Sequence, residues 1–203
     1  CQPFSKAGYW VTHKNILGSE DPRNMIGQYL RLIDEIRPDG FLIENVESIM
    51  HPKNIHAINE LKESISCLGY KSQIYKANAV NYGVPQKRKR VFILANRKGF
   101  PSLPEKTHGT EEEVILNPRL KPIERVIDWI GQYDDPRYQE PEEITVGKTY
   151  YNELKEVPPG KNYIALTAQA GYPNPKFLAH KRFWSFLLKL HPNKPSWTIA
   201  AQP

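Results

Sequence analysis

Helix and strand patterns alternate along the first hundred residues, and this alternation limits the folds that the chain can adopt. Asp21-Pro22 has the form of a helix N-cap followed by proline at the first helical position, and the predicted helix ends at Arg37-Pro38. A second predicted helix ends before Gly69 and carries apolar residues spaced three or four apart, namely Ile55, Ile58, Leu61, Ile65 and Leu68.

Three apolar stretches predict the strands that accompany these helices. The run FLIENV at 41–46 is short and continuous, which is typical of a buried parallel strand. Residues 71–77 and 90–97 are rich in strand-forming side chains, and the loop NAVNYGVPQKRK at 78–89 separates them. The order helix, strand, helix, strand, strand predicts an α/β fold built on part of a sheet.

The pattern changes after Arg97, where prolines recur and long periodic segments become rare. A second, irregular region is therefore expected to begin near Phe100. The net charge of +6 and the pI of about 9.2 favour an anionic partner. Basic and aromatic residues are interleaved at 176–194, which suits either phosphate contact with base stacking or the solvated face of an apolar helix.

Composition argues against several classes of protein. No apolar run approaches the roughly 20 residues that a membrane helix needs, so a soluble protein is expected. The two cysteines, Cys1 and Cys67, cannot build a disulfide framework and lack the spacing of a zinc site. Cys67 is predicted to be a small core residue, and the histidines are predicted to be surface or loop residues without a metal role.

Three places in the α/β half carry residue types that could do chemistry. Cys1 opens the loop CQPFS, Glu44 lies near the end of FLIENV, and the pair Arg88 and Arg90 lies in VPQKRKRVF. The working groups of open α/β sheets gather beyond the carboxyl ends of the strands, where Glu44 is expected to lie. Taken singly, the glutamate could equally be a solvated strand end and the arginines a solvated basic edge.

Five short motifs together resemble the cytosine-5 DNA methyltransferase family. CQPFS is similar to its nucleophile loop, IENV to its Glu-Asn-Val motif and QKRKR to its Gln-x-Arg-x-Arg motif. DPRNMI at 21–26 and KPSWTI at 194–199 resemble two further segments, so the resemblance covers nearly the whole chain. The proline before the cysteine, the glycine-rich cofactor loop and a final C-terminal segment have no counterpart, so we interpret the chain as an internal stretch.

The resemblance implies part of a Rossmann-like, S-adenosylmethionine-dependent methyltransferase sheet with an irregular target-recognition domain. The expected boundaries are 1–104 for the C-terminal half of the catalytic domain, 105–190 for the target-recognition region and 191–203 for a segment that returns toward the catalytic domain. The implied reaction is methyl transfer from S-adenosylmethionine to C5 of a flipped-out cytosine in a specific duplex site. It proceeds through a covalent bond between cysteine and C6, without a metal.

The resemblance also implies a role for each candidate residue. Cys1 adds to C6, and Glu44 binds N3 and the exocyclic amine and supplies a proton. Arg90 stabilises the charge that develops at O2, and Arg88 pairs with the glutamate and a nearby phosphate. Further contacts with DNA are expected from Gln2, Ser5, Lys14, Arg23 and Gln86. A contact with the cofactor is expected from Ile26.

Double-stranded DNA is the expected partner, and a bacterial restriction-modification system in the cytoplasm, beside the nucleoid, is the expected setting. The isolated chain is predicted to be inactive, because the cofactor loop would come from the missing N-terminal half in the same gene or from a partner subunit. Two alternatives stay open. One is a non-catalytic DNA-binding module of the same fold, and the other is an N-terminal-cysteine hydrolase in which the α-amine activates Cys1.

Overall fold

The chain divides into two compact units in a computed structural model that describes residues 24–135, 137, 150–177 and 187–198. The first unit comprises Cys1–Asn78 and Lys89–Glu105, and the second comprises Ala79–Arg88 and Lys106–Pro203. The segment Ala79–Arg88 therefore belongs with the C-terminal half of the chain, although it lies between two strands of the N-terminal half.

Two helices of the first unit end where the sequence predicts. Helix α1 spans Ile26–Ile36, and Arg37 follows it in a left-handed conformation with φ of 53°. Helix α2 spans Ile55–Cys67, and Gly69 has a φ of 87°, a conformation that glycine adopts without steric cost. The predicted start of α1 at Asp21-Pro22 lies outside the described residues.

The first unit contains a sheet of three strands. The strands of this part of the chain are β1 Gly40–Val46, β2 Lys71–Asn78, β3 Gln86–Lys87 and β4 Lys89–Asn96, and the short 3₁₀ turns are Glu47–Met50, Pro52–Asn54 and Ala79–Tyr82. β4 lies between β1 and β2 and is antiparallel to both, so β1 and β2 run in the same direction without being neighbours. β3 belongs to the second unit.

The prediction that FLIENV is a buried parallel strand is wrong on both counts. β1 pairs with the antiparallel strand β4, because the short connection through β3 brings the chain back beside β2 in the opposite direction. Asn45 is the one fully buried residue of β1, because β1 is an edge of this three-stranded sheet. The two candidate strands that follow α2 are confirmed as β2 and β4.

One face of the sheet packs against both helices. Two clusters of buried side chains fill this layer, one formed by Ile33, Leu61, Ile65, Tyr70, Ile93 and Ala95 and the other by Ile49, Ile58 and Val91. Burial of a large aliphatic side chain of this kind contributes about 1.5–3 kcal/mol. Successive strand residues point to opposite faces, so Val91 and Ile93 meet the helices whereas Arg90 and Phe92 lie on the other face.

Cys67 is exposed, so the prediction that it is a core residue is wrong. The buried side of α2 carries Ile58, Leu61 and Ile65. A residue two positions after Ile65 is rotated about 200° around a helix of 3.6 residues per turn, which turns Cys67 toward solvent.

Short elements and turns make up the second unit, as the irregular sequence predicts. Its strands and helices are β5 His108–Gly109, α3 Glu111–Leu116, β6 Lys121–Pro122, α4 Val126–Ile130, α5 Tyr151–Glu156 and β7 Ser196–Trp197. β5 pairs in parallel with β6, and β3 pairs in parallel with β7. Further 3₁₀ turns span Gly131–Tyr133, Tyr163–Leu166 and Ala168–Ala170.

The interior of the second unit mixes apolar and polar side chains. Its buried apolar residues are Val80, Leu120, Val126, Val157, Tyr163 and Leu166, and its buried polar residues are His108, Thr167 and Ser196. Most of the predicted periodic segment at 182–190 lies outside the described residues. In the part of the chain that the structure describes, no helix has the length and apolar character needed to cross a bilayer.

Candidate active site

Glu44 and Arg90 are neighbours on the face of the sheet that points away from the helices. The register pairs Glu44 with Phe92 and Val46 with Arg90, so the two charged residues are diagonal neighbours on adjacent strands. Arg90 Nε lies 2.6 Å from Glu44 Oε1, and 19% of the arginine side chain and 43% of the glutamate side chain are exposed. Strand pairing thus brings together an acidic and a basic side chain that are far apart in the sequence.

The contact between these side chains is ionic and is not an aligned hydrogen bond. Among the described residues, Arg90 Nε has no hydrogen-bond partner of suitable geometry, although the carboxylate lies within contact distance. Arg90 Nη1 donates to Lys89 O at 2.8 Å. A pair that is this accessible to solvent contributes only about 0–1 kcal/mol to stability. The contact therefore matters more for where it holds two charges than for the stability of the fold.

The arginine in this contact differs from the one that the resemblance implies. The resemblance pairs Arg88 with the glutamate, whereas the structure puts Arg90 against Glu44. The reason is the strand register, which places Arg90 inside β4 and two residues from the position opposite Glu44. Arg88 precedes β4 and belongs to the second unit. A similar but longer contact, 3.6 Å, joins Lys89 Nζ of β4 to Glu47 Oε1 in the 3₁₀ turn that follows β1.

The segment that carries Gln86 and Arg88 is held by residues from near the C-terminal end of the chain. β3 pairs with β7, and Ser196 N donates to Pro85 O at 2.8 Å. Thr198 Oγ1 donates to Lys87 O at 3.0 Å. Two of the motifs that carry the family resemblance, VPQKRK and KPSWTI, are therefore in direct contact within the second unit.

Half of the residues with expected roles lie outside the described residues, namely Cys1, Gln2, Ser5, Lys14 and Arg23. The side chain of Ile26, for which a cofactor contact is expected, packs against both apolar clusters of the first unit. The sequence contains no glycine-rich loop with the family's pattern. The described residues contain no group of three or more His, Cys, Asp or Glu side chains arranged to hold a metal ion.

Sequence reasoning missed a buried histidine in the second unit. His51 and His56 are exposed, as predicted, but His108 is only 8% exposed, so the prediction of surface or loop histidines is wrong for His108. Its ring lies against Gly83, where an added Cβ would be 2.8 Å from His108 Cε1. No spacing in the sequence marks His108. Its neighbours Gly83 and Glu124, the latter 3.6 Å from His108 Nε2, are distant in the sequence and come close to it only in the tertiary structure.

Comparison with known proteins identifies the family. The family profile described as C-5 cytosine-specific DNA methylase matches residues 1–187. The type II methyltransferase M.SacI of Streptomyces achromogenes is 35% identical over 100% of this chain and 52% of its own length. The type II methyltransferase M.AquIA of Picosynechococcus is 35% identical over 64% of this chain and 56% of its own length. The chain thus spans about half the length of these relatives.

A solved structure, that of the methyltransferase EhMeth of Entamoeba histolytica, aligns with 98% of this chain and 59% of its own at 16% identity and a TM-score of 0.45. The α/β class that the sequence predicts is confirmed, and with it the Rossmann-like methyltransferase class. The family match leaves the N-terminal-cysteine hydrolase without support. By its profile match and its relatives, this chain belongs to the C-5 cytosine-specific DNA methylase family.

Proposed function

We propose that this chain is part of a DNA (cytosine-5) methyltransferase and carries residues of both its active site and its DNA contact. The observation that carries the proposal is the 2.6 Å contact between Arg90 and Glu44 in a chain of this family. The arginine fixes the position of the carboxylate, yet 43% of the glutamate side chain stays accessible. A carboxylate held in this way can still receive a base that arrives from solvent.

Cys1 is the proposed nucleophile. Its thiolate attacks C6 of a cytosine that has left the stacked duplex, and the new carbon–sulfur bond moves an electron pair onto C5. S-adenosylmethionine supplies the methyl group when it is bound. Loss of the C5 proton and departure of the sulfur then restore the aromatic ring and the free cysteine. After methyl transfer the bound donor would leave as a neutral thioether, the N3 proton returns to Glu44 and the C5 proton passes to solvent, so the sequence needs no metal or oxidant.

Glu44 and Arg90 are proposed to act on the polar edge of the flipped base. One oxygen of Glu44 accepts a hydrogen bond from the exocyclic amine, and the other, in the carboxylic acid form of the residue, gives its proton to N3 as negative charge builds on the ring. Arg90 orients this carboxylate, and its positive charge stabilises the charge that reaches O2. Arg88 is proposed to contact a neighbouring phosphate of the DNA.

The second unit is proposed to provide most of the contacts with double-stranded DNA. Gln86 and its basic neighbours contact the backbone, residues 105–190 form the target-recognition region, and residues 191–203 return to the catalytic domain, whose expected range is 1–104. β7 of this last segment pairs with β3, which carries Gln86. Gln2, Ser5, Lys14 and Arg23 complete the proposed DNA contacts.

The setting of the protein follows from its relatives. M.SacI and M.AquIA are named as type II methyltransferases, so we infer that this protein works in a restriction-modification system, in the cytoplasm near the nucleoid. The cofactor loop would come from another part of the same gene or from a partner subunit. A non-catalytic DNA-binding module is the alternative, and it predicts DNA binding without methyl transfer.

Covalent trapping tests the proposal directly. A duplex with 5-fluorocytosine at the target position, added with S-adenosylmethionine to a protein that contains this chain and the cofactor loop, should form an adduct that peptide mapping assigns to Cys1. Cys1→Ser should bind the same duplex without an adduct. An adduct on another residue contradicts the assignment, and DNA binding without adduct or methyl incorporation favours the non-catalytic module. The chain alone, with labelled S-adenosylmethionine, should incorporate no methyl group.

A further inference from the structure

A buried imidazole supports the segment that carries Gln86 and Arg88. We propose that His108 is a positioning residue for residues 79–88, an inference that rests on the proposed DNA and active-site roles of that segment. His108 and residues 79–88 belong to the same unit. His108 is 8% exposed as a residue and 11% exposed in its side chain, and no step of the proposed reaction uses it.

The backbone beside His108 is tied directly to this segment. Thr107 N donates to Asn81 O at 2.9 Å, and Thr107 Oγ1 lies 3.4 Å from the same oxygen. Thr107 O accepts in turn from Lys121 N at 2.9 Å, which extends the pairing of β5 with β6. The strand that carries His108 is therefore held between the 79–88 segment on one side and β6 on another.

The imidazole ring leaves no room for a side chain at Gly83. Gly83 has a φ of 80°, and a Cβ at this position would lie 2.8 Å from His108 Cε1, 3.3 Å from Nε2 and 3.4 Å from Nδ1. All three distances are at or below the lower limit of ordinary carbon contacts, so the ring packs directly on the glycine backbone. The ring thus fixes where the chain turns toward Gln86.

Polar contacts fix the plane of this ring. Thr107 Oγ1 lies 2.8 Å from His108 Nδ1, and Glu124 Oε1 lies 3.6 Å from His108 Nε2. Glu124 is itself held by Trp129, whose Nε1 donates to Glu124 Oε2 at 3.3 Å. Because Nδ1 has a hydrogen-bond partner in Thr107, the imidazole cannot rotate away from Gly83 without losing that hydrogen bond and the longer approach of Nε2 to Glu124.

Backbone hydrogen bonds connect the turn at Gly83 with Gln86 and Arg88, the residues with proposed functions. Gln86 N donates to Val84 O at 2.7 Å, and Arg88 N donates to Gln86 O at 3.0 Å. Ala79 N donates to Arg88 O at 3.1 Å and closes the segment on itself. β7 supports the segment at Gln86, and His108 is a second support at Gly83.

Hydrogen exchange on this 203-residue chain tests the support without any assay of methylation. In His108→Ala, amide exchange in peptides from residues 79–88 should rise by about tenfold or more, because the local opening energy falls. His108→Gln keeps a polar end toward Glu124 and should restore part of the protection. His191→Ala is the matched control, since His191 packs against Gly160, another glycine of positive φ, outside this segment.

Gly83→Ala disrupts the same contact between Gly83 and the His108 ring, by adding a methyl group to the glycine. It should raise exchange in residues 79–88, and adding His108→Ala should cause little further increase, because both changes disrupt one contact. Wild-type exchange in residues 79–88 in a folded His108→Ala chain would overturn the proposal. So would full additivity of the two substitutions.

The rate of methyl transfer separates positioning from a purely structural role. In the complete methyltransferase, with saturating DNA and S-adenosylmethionine, His108→Gln should lower the single-turnover rate per folded molecule by about tenfold, since small displacements of positioned groups are costly to the rate. A purely structural role would reduce the amount of folded enzyme and leave that rate unchanged. If the wild-type protein does not methylate DNA, the proposed function fails while the exchange result still decides the role of His108.

Discussion

The two units of the molecule are stabilised by different kinds of contact. In the first unit, strands of seven or eight residues and two helices enclose clusters of aliphatic side chains. In the second unit, the described strands have two residues each, and buried polar groups such as His108, Thr167 and Ser196 share the interior. Apolar burial is non-directional, whereas a buried polar contact fails when one partner is lost. We therefore expect the first unit to depend on side-chain volume and the second on individual polar groups.

The proposed chemistry is divided in the same way. Cys1, Glu44 and Arg90 belong to the first unit, and Gln86 and Arg88 belong to the second. Glu44 and Arg90 lie on strands of seven and eight residues, which hold a fixed geometry and suit the chemical step, whereas the short elements around Gln86 and Arg88 suit contact with DNA. Substitution of Glu44 or Arg90 should therefore change mainly the rate of the reaction, and substitution of Arg88 should change mainly the binding of DNA.

Cys1→Ser should show the largest effect. Because a serine hydroxyl cannot reach the anionic state that a thiolate reaches near neutral pH, turnover in the complete enzyme should fall by about 10⁴-fold or more while DNA affinity is retained. Methyl incorporation and DNA binding, measured on the same preparation, check this expectation. Equal loss of rate and affinity would place Cys1 in DNA binding.

Glu44→Gln should lower the single-turnover rate by roughly 10²–10⁴-fold with little change in DNA affinity, because the amide cannot transfer the proton. Glu47→Gln is the matched control, since Glu47 is also an acid with a basic partner beside the same strand pair. Arg90→Ala should slow the reaction as well, because it removes charge stabilisation that grows toward the transition state. A silent Glu44→Gln together with weaker, less salt-dependent DNA binding in Arg90→Ala would remove both residues from the active site.

Ile65→Ala should lower the free energy of unfolding by about 2–5 kcal/mol, because Ile65 is completely buried in the apolar core of the first unit. Cys67→Ala, on the exposed side of the same helix, should change it by less than about 0.5 kcal/mol. Urea unfolding followed by circular dichroism measures both. A similar loss in the two variants would mean that volume in this layer is not what stabilises the first unit.

Arg88→Ala should weaken DNA binding by about tenfold, which corresponds to one charge-assisted hydrogen bond of about 1.5 kcal/mol. The slope of log affinity against log salt should become smaller by about one, because one phosphate contact is lost. Arg31→Ala is a suitable control, because Arg31 is an exposed arginine whose ion-pair partner is Glu35 on the same helix. An unchanged salt slope would assign Arg88 to the chemical step instead of the DNA backbone.

Thr110→Ala should have the smallest effect, a loss of about 1 kcal/mol in the free energy of unfolding. Thr110 accepts a hydrogen bond from Glu113 N at 3.4 Å, and Glu113 Oε2 accepts one from Thr110 N at 3.0 Å, which together form a capping box at the start of α3. Glu111→Gln at the first position of the same helix is the control. Thermal unfolding of the two variants is the measurement, and equal melting temperatures would show that the cap is dispensable.

Acidification should act on the same cap. The Lys106 side chain and then the Thr110 N–H hold the pKa of Glu113 below its ordinary value. A carboxyl with a lowered folded pKa stabilises the fold fully above its unfolded pKa and loses this contribution as the pH falls through the folded value. Glu113→Gln should therefore cost less stability in acid, where Glu113 is protonated, than at pH 7, because the protonated side chain has already lost its charge interaction with Lys106; thermal unfolding at the two pH values measures this.

The helices and strands of the first unit could be predicted from sequence because local signals specify them. The three- and four-residue spacing of Ile58, Leu61 and Ile65 predicts the buried side of α2, and Gly69 predicts its end. The neighbours of β1 could not be predicted in this way. A continuous apolar run is compatible with a parallel or an antiparallel partner, and the partner depends on how the chain returns through β3.

The candidate site shows the same limit. Glu44 and Arg90 could be selected from motifs, but the contact of Glu44 with Arg90 depends on strand register. His108 carried no local signal, since a histidine beside a threonine is common in exposed loops. Its importance comes from burial against Gly83, a residue of the segment that precedes it by more than twenty positions.

The sequence by itself determined the α/β class, the ends of the helices, the positive charge and the family motifs, because each of these depends on residue type and on spacing within one turn or strand. The tertiary structure alone decided which charged side chains meet, which histidine is buried and which motif pairs with KPSWTI. Those outcomes depend on contacts between segments that are distant in the chain, and such contacts are chosen by the packing of the whole unit and by no local preference.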